Sequence, residues 1–221
     1  MRHWKKTIAS VTFASALLLS GCMNGETPEQ EIFETLEKVV DLEESFEAQQ
    51  EPLLELEQKE KQIYDEIITL GMKEFDQIVK LAEEGSSLVE QRKEAMTAEK
   101  ESIETARKQF EEVKTSIESL DDEGLKKEGQ NLYQLMEKRY EAYMTLSNHY
   151  MEAIELDKEL YELFQKEDLT LEELQLQINK INELLVKIKE SNQAFNEFTE
   201  QYNEAKFTFY KDAGLNVEYK N

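Results

Sequence analysis

The chain has 221 residues, 39% apolar and 34% charged, with 7 glycines, 2 prolines, 1 cysteine and a formal net charge of −23. That length can bury a core without disulfides or metals, and the shortage of glycine and proline argues against sheets joined by tight turns. The acidity excludes nucleic acid as a partner, because such a surface repels polyanions.

Low hydropathy with high charge is also the signature of disorder, but here the apolar residues recur at helical spacing, which disordered acidic tracts lack. The first element is a targeting segment. Arg2, Lys5 and Lys6 form a basic flank, and Thr7 to Leu19 is an uncharged, mostly apolar run of 13 residues. A membrane-spanning helix needs roughly 20. Leu19-Ser20-Gly21-Cys22 resembles the bacterial lipobox, in which a small residue pair precedes the cysteine that is lipidated and becomes the mature N-terminus. Residues 1–21 are therefore expected to leave as a lipoprotein signal peptide. Leu19, Ser20 and Gly21 are the signal-peptidase recognition residues, and Cys22 is the lipidation site. A lipidated Cys22 leaves no free thiol, so neither cysteine catalysis nor a disulfide is expected. Three basic residues depart with the segment, which takes the net charge from −23 to −26. Attachment to the extracytoplasmic face of the cell membrane then depends on the acyl chains.

Residues 22–26 form a short tether, and residues 27–212 are expected to form one helical-bundle domain. Thr27-Pro28-Glu29-Gln30 is a helix start, with Thr27 as cap, Pro28 at the first helical position and Gln30 completing a capping box. Pro52 should kink this helix or start a new one, and Gly71 is a weaker interruption. In "AEEGSSLVE", Gly85 is placed to end one helix and Ser87 with Glu90 to cap the next. "SLDDEGLKKEG" at Ser119 to Gly129 reads as the following turn. "KEDLTLEEL" at Lys166 to Leu174 reads as the last, with Thr170 and Glu173 forming another capping box. The final helix fades near Ala213-Gly214, leaving residues 213–221 as a tail.

Segments of matched length joined by short turns imply antiparallel hairpins. The predicted fold is all-α, an elongated up-and-down bundle of about four helices, each roughly 45 to 60 Å long, the first extended or kinked at Pro52. The alternative has no turn at Gly85, which leaves a helix of roughly 100 Å from Pro52 to Ser119. In the last helix the apolar stripe runs through Leu171, Leu174, Ile178, Ile181, Leu185 and Ile188. It then shifts phase to Phe195, Phe198, Tyr202, Ala205 and Phe209. The preceding helix carries Leu132, Met136, Tyr140, Tyr143, Leu146, Tyr150, Ala153 or Ile154, Leu160 and Phe164.

Catalytic chemistry is not legible. The acidic pairs Glu101 with Glu104 and Glu172 with Glu173 read as solvated helix faces, as do Glu57–Lys61, Glu104–Lys108 and Glu183–Lys187 at i,i+4. His149 has no histidine partner for a zinc site, "LDDEG" lacks calcium-loop spacing, and no phosphate loop or dinucleotide fingerprint occurs. No metal and no cofactor are expected. Among the aromatic residues, Tyr133, Phe207 and Tyr210 fit the core stripes worst, so they are the candidates for exposure and for contact with a ligand or partner.

The lipobox, the Thr-Pro helix start, the acidic Glu/Lys/Gln-rich helices and the aromatic last helix running into "YKDAGLNVEYK" together resemble the YkyA-like cell-wall-binding lipoproteins of Gram-positive bacteria. That resemblance implies a long helical bundle and carries no catalytic residues. The function expected is a non-enzymatic, lipid-anchored protein that binds or spaces something at the wall or the outer membrane face. Its partners are the membrane, through the N-terminal lipid, and peptidoglycan or a cell-envelope protein. The alternative is an accessory or regulatory binding subunit for an exported enzyme, transporter or sensor.

Overall fold

Polar side chains set the helix ends. The hydroxyl of Thr27 accepts the Gln30 amide and the Gln30 side chain accepts the Thr27 amide, with Pro28 in the first turn. Helix α1 (Pro28–Leu42) therefore begins at the expected box. A computed structural model describes residues 27–215, and among them only helices and turns occur. After α1 come α2 (Glu44–Ile67), a single 3-10 turn over Met72–Glu74, α3 (Phe75–Phe110), α4 (Val113–Glu118), α5 (Glu123–Phe164) and α6 (Leu171–Asp212). The fold is all-α, as expected.

Three breaks differ from expectation, the slightest being an unexpected turn at Glu111–Glu112 between α3 and α4. Pro52 lies inside α2, and the chain instead breaks for one residue at Glu43. Pro52 frees the carbonyl of Ala48, and both residues are on the exposed side of the helix, where water can satisfy that carbonyl. The turn expected at Gly85 is at Ile68–Gly71. There the Thr69 hydroxyl donates to the Glu66 carbonyl at 2.7 Å and closes α2, while the Glu74 carboxylate accepts the Gly71 amide at 2.9 Å. Gly85 is interior to α3 and has a packing reason. A Cβ built there would lie 2.2 Å from the ring of Tyr161, so only glycine lets that ring seat against the helix.

The later turns stand where the sequence put them. Asp122 Oδ1 accepts the amides of Gly124 and Leu125 at 2.8 and 2.9 Å and starts α5. Thr170 accepts the Glu173 amide at 3.2 Å and donates its own to Glu173 at 3.0 Å, which starts α6. At the end of α6, Gly214 adopts φ +70° and the Leu215 amide reaches back to the Tyr210 carbonyl at 2.9 Å. This is the left-handed cap that glycine favours.

The described residues fall into two compact units, one comprising 27–43, 104–142 and 194–215, the other Glu44–Ile103 and Tyr143–Gln193. Helices α3, α5 and α6 contribute to both. In the first unit α1, the end of α3 with α4, the first half of α5 and the end of α6 enclose Ile32, Leu36, Phe110, Ile117, Leu132, Met136, Tyr202 and Phe209. In the second, α2, α3 and α5 enclose Leu53, Ile63, Ala82, Val89, Met96, Ile154, Tyr161 and Phe164, with α6 laid against them through Leu174, Ile178 and Ile181. Partners there fall in number along one helix as they rise along the next. Glu60 meets Arg92 and Gln50 meets Glu99, while Asp157 meets Arg92 and Tyr143 meets Glu99. In this unit α2 is thus antiparallel to α3, and α3 to α5.

The stripe in α5 is mostly buried, with Leu146 and Tyr150 partly so, while in the first half of α6 Leu174, Ile178, Ile181 and Ile188 pack inward as expected but Leu171 and Leu185 do not. Leu184 is buried while Leu185 is exposed, Leu171 is 85% exposed, and Gln177 and Ser191 are buried instead. The Gln177 side chain compensates by donating to the Leu156 carbonyl at 2.8 Å and to Glu159 at 3.0 Å.

Gly85→Ala tests the close approach of Tyr161. Alanine gains helix propensity worth about 1 kcal/mol, but overpacking against a buried ring costs about 1–3 kcal/mol, so urea unfolding should show a lower midpoint. An unchanged or raised midpoint would refute the packing account.

Candidate functional site

Charged side chains at core positions are the structure's most unusual chemistry. In the second unit Arg92 of α3 is 6% exposed. It donates through Nη1 to Glu60 at 3.0 Å and through Nη2 to Asp157 at 2.5 Å, and it lies 5.5 Å from the centroid of the Tyr150 ring. The Tyr150 hydroxyl donates to Glu57, and that of Tyr161 to the Glu60 carbonyl at 3.1 Å. Two carboxylates thus bond one buried guanidinium, with half-buried Glu57 as a third beside them. Burial pushes Glu60 up to about 7 against the pull of Arg92, and burial likewise raises Glu57 and Asp157. Deeper along α3, Glu99 accepts Tyr143 at 3.0 Å and Gln50 at 2.7 Å. Burial pushes it up to about 7, opposed by the Tyr143 hydrogen bond.

The first unit holds two pairs. Arg139 grips Glu43 with both terminal nitrogens at 2.8 and 2.7 Å and donates through Nε to Thr199 at 3.1 Å. Its guanidinium lies 5.0 Å from the Phe195 ring centroid. This fork geometry satisfies a buried carboxylate in a way lysine cannot. Lys206 is 3% exposed and reaches Glu37 at 3.0 Å. Burial lowers its pKa, with Glu37 opposing.

Cys22, Leu19, Ser20 and Gly21 lie outside the described residues. The three aromatic candidates are not brought together as an exposed set. Tyr210 is fully buried, which corrects the expectation of exposure: its ring packs 5.1 Å from Phe33 and its hydroxyl donates to Glu37 at 3.0 Å. It belongs to the same polar pair as Lys206. Phe207 and Tyr133 are half-buried. His149 places Nδ1 2.8 Å from the Ser191 hydroxyl. Among the described residues, no group of three or more His, Cys, Asp or Glu is placed to hold a metal, and no helix is long and apolar enough to cross a membrane.

Sequence reasoning missed Arg92, Arg139, Lys206, Glu60 and Glu99, although one signal pointed to the arginines. The chain holds 22 lysines and only 4 arginines, and the three arginines among the described residues, Arg92, Arg107 and Arg139, each hold a carboxylate. In a chain that prefers lysine, two of these three arginines, Arg92 and Arg139, occupy buried pairs.

A protein-family model described as "Putative cell-wall binding lipoprotein" (YkyA) matches residues 27–212. The uncharacterized lipoprotein YkyA of Bacillus subtilis (strain 168) is 38% identical over 205 residues, covering 93% of this chain and 92% of that protein. A crystal structure of a conserved protein of unknown function from Staphylococcus aureus superposes with a TM-score of 0.60 at 16% identity, covering 85% of this chain and 97% of that one. The last likeness concerns the fold alone.

The buried carboxylates predict an unusual pH dependence. Folded Glu60 and Glu99 titrate near 7 against an ordinary value of 4.5, so the folded chain keeps protons that the unfolded chain releases. Their stabilisation is full below about pH 4.5 and is lost as pH rises towards 7. Glu99→Gln should therefore be near neutral at pH 5 and stabilising by about 2 kcal/mol at pH 8; equal effects at both pH values would contradict this. Arg139→Ala should cost roughly 3–5 kcal/mol by stranding Glu43, and adding Glu43→Ala should recover part of the loss. Urea unfolding of the single and double variants measures this coupling.

Proposed function

The chain belongs to the cell-wall binding lipoprotein family, and on that footing we propose that it is a non-enzymatic binding protein, held by a lipid on Cys22 at the outer face of the cell membrane and acting on the wall. The observation that carries this reading is the family match over residues 27–212, which takes in every helix from α1 to α6. Leu19, Ser20 and Gly21 before Cys22 supply the processing site, residues 1–21 the signal peptide and residues 22–26 the tether. Residues 27–212 are the folded body and residues 213–221 a tail.

Two physical points support a binding role over catalysis. The carboxylates most deeply withdrawn from water are engaged by Arg92, Arg139, Lys206 or tyrosine hydroxyls of their own unit, where they join helices. The net charge of −23, or −26 after loss of the leader, repels anionic wall polymers and leaves uncharged peptidoglycan glycan or an envelope protein as the favoured partner.

Cys22→Ala should abolish palmitate labelling and move the chain from the membrane fraction to the medium. Continued labelling or membrane retention would refute the anchor. The lipidated full-length protein in detergent should sediment with purified wall sacculi, and better with sacculi stripped of teichoic acid. Failure to sediment with either would refute wall binding.

A further inference from the structure

Between α4 and α5 of the first unit runs a shallow groove lined by Lys114, Ile117 and Glu118 on one side and Gln130, Tyr133 and Gln134 on the other. Gly129 sets its depth: a Cβ there would lie 3.0 Å from the Ile117 side chain, so the two helices press together and buried Ile117 becomes the floor. The Tyr133 ring stacks on Phe110, with centroids 5.3 Å apart and planes inclined by 16°. Phe110 is fully buried, so one face of the half-buried Tyr133 ring is backed by the core while the residue also lines the groove. That ring is fixed before any ligand arrives, which removes most of the ordering cost of binding.

The groove is also electrically unlike the rest of the chain. One lysine balances one glutamate, two amides are neutral, and beside Tyr133 the Arg107 guanidinium holds Glu137 at 2.7 Å. Glu111 is the remaining charge near the tyrosine. On a chain of −23, a patch whose named charges leave only Glu111 unmatched suits a polar, uncharged ligand.

We infer that this groove is a glycan subsite: Tyr133 is the platform for the C–H face of an N-acetylated pyranose, and the Gln130 and Gln134 amides pair with its acetamido and hydroxyl groups. Each amide offers both a donor and an acceptor, which matches an acetamide and discriminates poorly for ions. A flat aromatic face with a polar edge is suited to a ring that is apolar above and hydroxylated around its rim. This inference rests on the wall-binding reading and names the chemistry that reading would use.

The test titrates the full-length protein with β-1,4-linked N-acetylglucosamine oligomers, which carry no charge, and in parallel sediments it with teichoic-acid-free sacculi. Tyr133→Ala should weaken oligomer binding about tenfold or more, while Tyr133→Phe, which keeps the stack on Phe110, should stay within about threefold. Because Tyr133→Ala also disturbs Phe110, Gln130→Ala/Gln134→Ala provides an independent arm. Both glutamines are exposed, so the double variant should melt like wild type yet bind oligomers about fivefold more weakly. Absence of oligomer binding by wild type, or wild-type affinity in either Tyr133→Ala or the double glutamine variant, overturns the subsite. If sacculi still retain the protein in that case, wall binding stands without it. Oligomer binding lost in the variants with no retention of wild type on sacculi supports the subsite and overturns the wall as its target.

Discussion

Arg92 and Arg139 each require their carboxylates to be level with them, and the helices have to obey. Leucine, isoleucine and methionine along a long stripe are nearly interchangeable partners, so an apolar seam alone would tolerate a slide of one turn, about 5.4 Å. A guanidinium buried among Tyr150, Glu60 and Asp157 does not tolerate it. Moving α3 by a turn would strand that cation, at a cost of several kcal/mol. The same logic ties Glu43, at the one-residue break between α1 and α2, to Arg139 on α5. The pairs therefore act as register marks in helices of up to 42 residues, whatever their net contribution to stability.

These marks leave the second unit with more buried acid than base. Arg92 is the guanidinium serving Glu60 and Asp157, with Glu57 close by, and Glu99 is held by neutral donors. Neutral pH therefore lies on the titration of the second unit's interior, whereas the first unit matches Glu43 and Glu37 with Arg139 and Lys206. Two four-helix packings of similar construction thus differ in how their interiors answer to protons.

Cap chemistry was the most legible feature of the sequence, because Thr27 with Gln30 and Thr170 with Glu173 act within four residues of themselves and need no tertiary partner. Gly85 misled for the opposite reason. Its role is defined by Tyr161, 76 positions away, and glycine as punctuation looks the same as glycine as clearance. The true turn at Ile68–Gly71 was legible only as the weaker interruption at Gly71, because its cap, the Glu74 carboxylate on the Gly71 amide, lies three residues further on. In the α6 stripe Leu185 stood in place of Leu184 because the two are adjacent and identical, and only packing chooses between them. Of the candidate residues, Tyr210 fell off the stripe not because it faces solvent but because its hydroxyl reaches Glu37 at the edge of the core. Tyr133 remains half-exposed, with its ring backed by Phe110.

The second unit, Glu44–Ile103 with Tyr143–Gln193, lies wholly within the span of sequence occupied by the first. The order in which the units can be completed is therefore the reverse of the order in which they begin. As the chain emerges from a ribosome, α1, the first described helix, must wait for residues 194–215 before its own core closes. The nested unit has all its residues once Gln193 has appeared. Until then Ile32, Phe33 and Leu36 lack the Phe209 and Tyr210 side chains of their unit. Loss of residues 202–215 would consequently damage the packing of α1, at the opposite end of the described sequence, so an early stop near the C-terminus would act as a lesion in the first described helix.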